Sequence, residues 1–228
     1  KLSNYESNNF LFNDLIKVQI KEPLNEIKIA KSINSFDKIV DDVSKKVREQ
    51  YEENPYPRWR YTYKNLSSNF LNHLNNEIKP NKLELNNEFN NPNILVAGCG
   101  TGQHIAIVAD KYLNSQILGI DLSLASLAYA KRKVKELNLK NVEFLQADIL
   151  QLKNLKKKFN IIECVGTLHH MEDPVAGLKI LLNLLEPNGL LKLGIYSEIA
   201  RQNIVKARNF IKRRNIKSTI DEIRNFRE

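Results

Sequence analysis

A chain of 228 residues with 42% hydrophobic side chains is long enough to bury a full α/β core and too apolar to be a disordered tail. Its formal charge of +9 is uneven, with nine Lys or Arg against three Asp or Glu over residues 200–228, so the basicity belongs to one segment rather than to the whole. Two cysteines, Cys99 and Cys164, exclude a disulfide framework and point to a reduced, cytoplasmic compartment, and the most apolar stretch, 178–193, is interrupted by Lys179, Asn183, Glu186, Pro187 and Lys192, short of the roughly 20 apolar residues of a membrane span.

In chain order, residues 11–20 predict a short amphipathic helix that Pro23 stops or redirects. Residues 37–50, with Ile39, Val43 and Val47 on one stripe and Asp41 near the start, predict a second helix. Residues 51–63 read as a loop, in which Pro55 and Pro57 stiffen an exposed platform of Tyr51, Tyr56, Arg58 and Trp59. A further helix is predicted over 70–78, and the Asn-rich stretch 86–93 reads as a linker. From residue 93 the pattern changes. Apolar strands at 93–97, 116–120, 142–146, 159–164 and 190–195 alternate with helical periodicity over 103–112, 124–137, 174–185 and 199–214. Such alternation dictates a mostly parallel sheet covered on both faces and built with right-handed crossovers. The expected organisation is a helical N-terminal extension, residues 1–92, before an α/β core, residues 93–228. Lys1 in place of an initiating Met, and a charged helical stretch running to Glu228, read as the ends of a fragment. The last helix sets Arg201, Lys206, Arg208, Lys212, Arg213 and Arg214 around Ile204, Ala207 and Ile211, either a solvated outer face or a contact for nucleic acid or an acidic protein.

The chemistry sits at the first strand of that core. Ile94-Leu95-Val96-Ala97 runs straight into Gly98-Cys99-Gly100-Thr101-Gly102, and three glycines at alternate positions let the backbone turn sharply and come close to a ligand. Asp121 ends the second apolar run, nineteen positions after Gly102, where a parallel neighbour places a carboxylate to accept two ribose hydroxyl hydrogen bonds. The dinucleotide fingerprint fails because Gln103 occupies its third glycine position, and a Walker loop fails because no Lys-Ser or Lys-Thr pair follows the glycines. What remains is a nucleotide-like cofactor with a ribose and no pyrophosphate.

The stretch 94–197, with the glycine loop, the ribose acid and Phe144-Leu145-Gln146-Ala147-Asp148 in that order, resembles the core of class I S-adenosylmethionine-dependent methyltransferases. Upstream, Val47-Arg48-Glu49-Gln50-Tyr51-Glu52-Glu53-Asn54-Pro55-Tyr56-Pro57-Arg58-Trp59 is similar to the preface to this core in bacterial methyltransferases often fused to tetratricopeptide repeats, although no such repeat lies within this chain. The resemblance implies a Rossmann-like doubly wound sheet of spatial order 3-2-1-4-5, without the closing strands 6 and 7 of the family, and a ligand near the switch between strands one and four. It implies S-adenosylmethionine as cofactor, lined by Gly98, Cys99, Gly100, Thr101, Gly102, Asp121, Leu122, Asp148, Ile149 and Cys164. Asp148 is similar in position to the acid that accepts a hydrogen bond from the adenine amino group, and it equally suits the N-cap of a following helix. Leu122 and Ile149 read as walls for the adenine or as core. Val96 stands where family members often carry a supporting acid.

The fourth strand leads into Glu163-Cys164-Val165-Gly166-Thr167-Leu168-His169-His170-Met171-Glu172-Asp173-Pro174, closely similar to the loop that closes over the cofactor in this family. His169 reads as a base or hydrogen-bond post near the acceptor, or as a structural loop residue. Adjacent positions such as His169 and His170 rarely direct both rings at one ion, and His73 and His104 stand at no ligand spacing, so no metal is expected. Asn54-Pro55-Tyr56-Pro57 superficially resembles the Asn-Pro-Pro-Tyr motif of amino-group methyltransferases, but it precedes strand one instead of following strand four and says nothing of the acceptor. The platform is either a lid offering an aromatic surface to a sulfonium or a segment packed on the core. His169, Tyr56 and Tyr196 are the candidate proton acceptors or positioning groups. The implied reaction is in-line methyl transfer to a protein or small-molecule acceptor, with no membrane partner. Competing readings are an RNA methyltransferase using the basic C-terminal face and a cofactor-binding module without turnover.

Overall fold

Asn93–Ala97 (β2) is buried along its last four residues, as a central strand covered on both faces must be, and the rest of the sheet is laid out around it. The computed structural model describes residues 4–62, 70–84, 87–112, 114–217 and 219–228. Residue 63 of the expected platform and residue 86 of the expected linker lie outside the described residues. Around β2 stand β1 (Asn34–Ser35), β3 (Gln116–Asp121), β4 (Val142–Gln146), β5 (Phe159–Val165) and β6 (Leu185–Gly194), in the spatial order β1-β4-β3-β2-β5-β6 with every pairing parallel. The five core strands keep the order expected of them. β1 is an addition at the β4 edge, and two polar residues, Asn34 and Ser35, carry no periodicity from which a strand is readable.

The period-two alternation of β2 divides the core. Ile94 and Val96 join one buried cluster with Ile105, Val108, Leu127 and Ile161, while Leu95 and Ala97 join the other with Ile120, Phe159, Ile162 and Leu181. The covering helices are α1 (Phe10–Ile16), α2 (Glu22–Ala30), α3 (Asp42–Glu53), α4 (Phe70–Glu77), α5 (Gln103–Lys111), α6 (Leu124–Glu136) and α7 (Pro174–Asn183). Side-chain caps start several of them: Asn9 for α1, Asp41 for α3, Ser123 for α6 and Asp173 for α7.

Three of the boundaries that differ from expectation have a plain local reason. Pro23 does not end the first helix. It sits in the first turn of α2, where a missing N–H costs little, and α1 passes into α2 through a π-helical stretch, Lys17–Lys21. The second helix begins at Asp42 and runs past Gln50 to Glu53, taking Tyr51 out of the loop, with Asn54, the residue that precedes Pro55, as its C-cap. β6 begins at Leu185, five residues early, because the segment containing Pro187 and the left-handed Asn188 (φ 62°) is absorbed as a bulge between the Phe159–Leu185 and Ile161–Leu190 pairs.

The chain divides into two units, Lys1–Gly194 and Ile195–Glu228. The first holds the sheet. The second holds α8 (Gln202–Arg213), preceded by a 3-10 turn Ile199–Arg201, and α9 (Ile220–Arg227), with the rings of Phe210 and Phe226 6.0 Å apart.

Candidate functional site

At the end of β2 the glycine loop turns with φ of 71° at Gly98, 51° at Gly100 and 81° at Gly102. The three are not equivalent. A Cβ on Gly98 stands 2.1 Å from the Thr167 hydroxyl oxygen and one on Gly102 stands 2.5 Å from the Ala130 Cβ of α6, whereas one on Gly100 meets nothing within 4 Å. Packing accounts for Gly98 and Gly102, and open space lies in front of Gly100. The N–H groups of Gly98 and Cys99 donate to the Ile120 carbonyl at 2.9 Å, and the N–H of Gly100 donates to Asp121 Oδ2 at 2.8 Å. The Ser123 N–H donates to Asp121 Oδ1 at 3.0 Å. Loop and acid, far apart in sequence, are one hydrogen bond apart in space. Burial pushes the Asp121 carboxyl above the usual carboxylate range, with the N–H groups of Ser123, Gly100 and Leu122 pulling it back.

The two oxygens of Asp148 differ in what they meet. Oδ1 accepts from the Leu150 N–H at 3.0 Å and caps the 3-10 turn Ile149–Asn154, while Oδ2 is buried with no hydrogen-bond partner among the described residues. A buried acceptor left unpaired costs about 1–3 kcal/mol, so this oxygen calls for a donor. Leu122 is half-buried, its carbonyl accepting from Gln146 Nε2 at 2.9 Å, and Ile149 belongs to the buried cluster around Ile120 and Leu152. Cys99 and Cys164 are free thiols enclosed in opposite clusters, and burial raises both, Cys164 to about 11. Their side chains serve packing, and a ligand contact at either position falls to the backbone.

Thr101 is occupied by the platform. Its hydroxyl donates to the Pro57 carbonyl at 2.6 Å, and its own carbonyl accepts from Trp59 Nε1 at 2.9 Å. Trp59 is 6% exposed, edge-on to Tyr129 at 6.3 Å, and the Tyr129 hydroxyl donates to the Trp59 carbonyl. The ring is therefore core, in keeping with the reading of the platform as a segment packed on the core, and offers no surface to a sulfonium. Arg58 binds both oxygens of Glu26 at 3.0 and 2.9 Å and lies over the Tyr129 ring. At the other end of the segment, Glu52 Oε2 accepts from the Ser123 hydroxyl at 2.7 Å and from the Ala125 N–H at 3.2 Å. The stretch 52–59 is thus tied beside Asp121 at one end and to Thr101 at the other. Tyr56, between the ties, is 74% exposed.

His169 lies in the 3-10 turn Leu168–His170 that follows β5, its ring 4.3 Å from that of His170. Tyr196 belongs to the second unit, where the Arg201 guanidinium stacks over its ring at 3.8 Å. Sequence reasoning passed over one pair. Glu163 on β5 is 2% exposed and its Oε2 stands 2.6 Å from His104 Nε2 on α5. An acid inside the apolar run of β5 was the available signal.

A family model described as a methyltransferase domain matches residues 88–223. The chain is 38% identical over 114 residues to an uncharacterized protein of Synechococcus sp., covering 50% of this chain and 27% of that protein. It is 31% identical over 144 residues to an uncharacterized protein of Rickettsia prowazekii, covering 61% and 54%. The solved structure of PKMT2 from Rickettsia typhi in complex with AdoHcy is 33% identical, with 46% of this chain and 21% of that chain covered and a TM-score of 0.41. This chain spans between about a quarter and a half of the length of those curated relatives.

Proposed function

The chain belongs to the methyltransferase-domain family, and on that premise we propose that it binds S-adenosylmethionine over Gly100, Asp121 and Asp148 and transfers the methyl group to a protein or small-molecule acceptor. When bound, this cofactor supplies a methyl carbon already activated by the sulfonium for in-line attack. The observation that carries the reading is Asp148 Oδ2, a buried acceptor with no donor among the described residues, standing after the strand next to that of Asp121. A purine amino group offers the donor it lacks.

The protein's own contribution is position and exclusion. The Gly100 and Ser123 N–H groups fix the Asp121 carboxylate, leaving further lone pairs for ribose hydroxyls. The stretch 52–59 is tied at both ends, and between the ties the exposed Tyr56 orients the acceptor or takes its proton, with His169 the other candidate of the same unit. The other lining positions are Gly98, Cys99, Thr101, Gly102, Leu122, Ile149 and Cys164, the cysteines through their backbone. The division into an extension, 1–92, and a core, 93–228, is part of the same reading, as is kinship with methyltransferases fused to tetratricopeptide repeats. Two buried free thiols support a reducing, cytoplasmic setting, and no helix among the described residues is long and apolar enough to cross a membrane.

Transfer of a labelled methyl group to fractionated cell extract tests the activity. Label is expected in protein or small-molecule fractions. Label confined to RNA transfers the reading to the basic α8 face, and no label in any fraction, from a protein that binds the cofactor, leaves a binding module.

A further inference from the structure

The parts of the cofactor follow one another in a line, adenine, ribose, then the amino-acid tail. The candidate acceptors also stand in a line: Asp148 follows β4, Asp121 ends β3 and Gly100 follows β2, on three neighbouring strands. A ligand with its purine at β4 and its sugar at β3 carries its tail past Gly100 to the next strand, β5, roughly 14 Å from β4 at about 4.8 Å per strand. The tail bears an ammonium beside its own carboxylate, and an ammonium leaving water there is held best by an acceptor of opposite charge.

Glu163 carries the only charge in the sequences of β2 and β5. It lies two residues before the end of β5, in register with Val96 on β2 and Lys192 on β6. Val96 is apolar, and the Lys192 ammonium pairs with Glu77 at 3.5 Å. The partner of Glu163 is His104, the second residue of α5, whose side chain is 35% exposed against 2% for the acid. The pair is therefore dry at the carboxylate and wet at the imidazole, and it sits beside the glycine loop that α5 continues. Just beyond, Gly166 has open space where its Cβ would stand. Packing does not call for a charge at this place: Ile161, on the same face of β5, is apolar and buried, and an apolar side chain at 163 would avoid the desolvation of a carboxylate.

Resting on the cofactor reading above, we propose that Glu163, oriented by His104, receives the ammonium of the cofactor's amino-acid tail, so that this end of the ligand is specified by an acid from β5. Three probes separate this role from a structural one: S-adenosylhomocysteine, its deaminated analogue, and methylthioadenosine, which lacks the tail. Glu163→Gln raises the Kd for S-adenosylhomocysteine about tenfold or more, ~1.4 kcal/mol, and leaves the other two unchanged. His104→Leu shows the same selective loss at smaller amplitude, and it carries the test if Glu163→Gln does not fold. Equal losses for all three probes, or an unchanged Kd for S-adenosylhomocysteine, overturn the inference. A wild-type protein that binds none of the three overturns the cofactor reading itself, a distinct result.

Discussion

Asp121 holds the glycine loop with one oxygen and starts the turn into α6 with the other, and both bonds come from backbone N–H groups, which only a proline at 100 or 123 would remove. Its burial has a consequence in pH. With the folded-state pKa raised above the unfolded value, the folded protein holds this proton more readily. The group therefore adds stability as pH falls through the window between the ordinary carboxylate value and the raised one, and withdraws it as pH rises. Cofactor affinity runs the other way, because the ionised form is the better acceptor for ribose hydroxyls. Calorimetric Kd values for S-adenosylhomocysteine across that window are expected to worsen as pH falls in the wild type and to vary less in Asp121→Asn. An identical pH profile in the variant contradicts this. The pairing of glycines with an acid was legible because it is a matter of spacing along two strands. The reasons for Gly98 and Gly102 were not, since Thr167 and Ala130 reach them only through the tertiary fold.

Among the elements, α2 and α6 are joined by charge. Arg132, its side chain 4% exposed, hydrogen-bonds Glu26 at 2.9 Å and Glu136 at 2.5 Å and stands in an ion pair with Glu22 at 3.1 Å, and Glu26 in turn takes Arg58 of the platform. Burial works against the Arg132 charge, and hydrogen bonds to Glu136 and Glu26 more than restore it. Arg132→Ala takes one of two cationic partners from the buried Glu26 and leaves it Arg58, with an expected cost of about 1.5–3 kcal/mol in denaturant unfolding and earlier proteolysis near residues 54–62. A loss under about 1 kcal/mol places the network among surface pairs of little weight. None of this was legible in the sequence, where no spacing links Glu22 and Glu26 to Arg132, and Arg58 reads only as part of the exposed platform. The core strands were legible because their apolar runs are long and bounded. β1 was not, because two residues have no period, and the start of β6 was hidden by Pro187, a strand breaker that the bulge accommodates.

Across the whole molecule, one sheet order decides where chemistry can occur. β4, β3, β2 and β5 bring Asp148, Asp121, Gly100 and Glu163 into sequence along one end of the sheet, although 121, 148, 100 and 163 are scattered over more than sixty positions of chain. Residues 52–59 add what the sheet lacks, a segment tied to Ser123 beside Asp121 at one end and to Thr101 of the glycine loop at the other. The central claim is that these strand ends hold an adenosyl sulfonium with its purine on Asp148, and Asp148→Asn tests it most directly. The change keeps the capping oxygen and replaces the orphaned acceptor with a donor, so folding is preserved while the purine amino group meets a like group. Titration calorimetry with S-adenosylhomocysteine should give saturable binding to the wild type and a Kd weaker by about tenfold or more in Asp148→Asn at unchanged thermal stability. No binding to the folded wild type, or equal affinity in the two proteins, contradicts the claim.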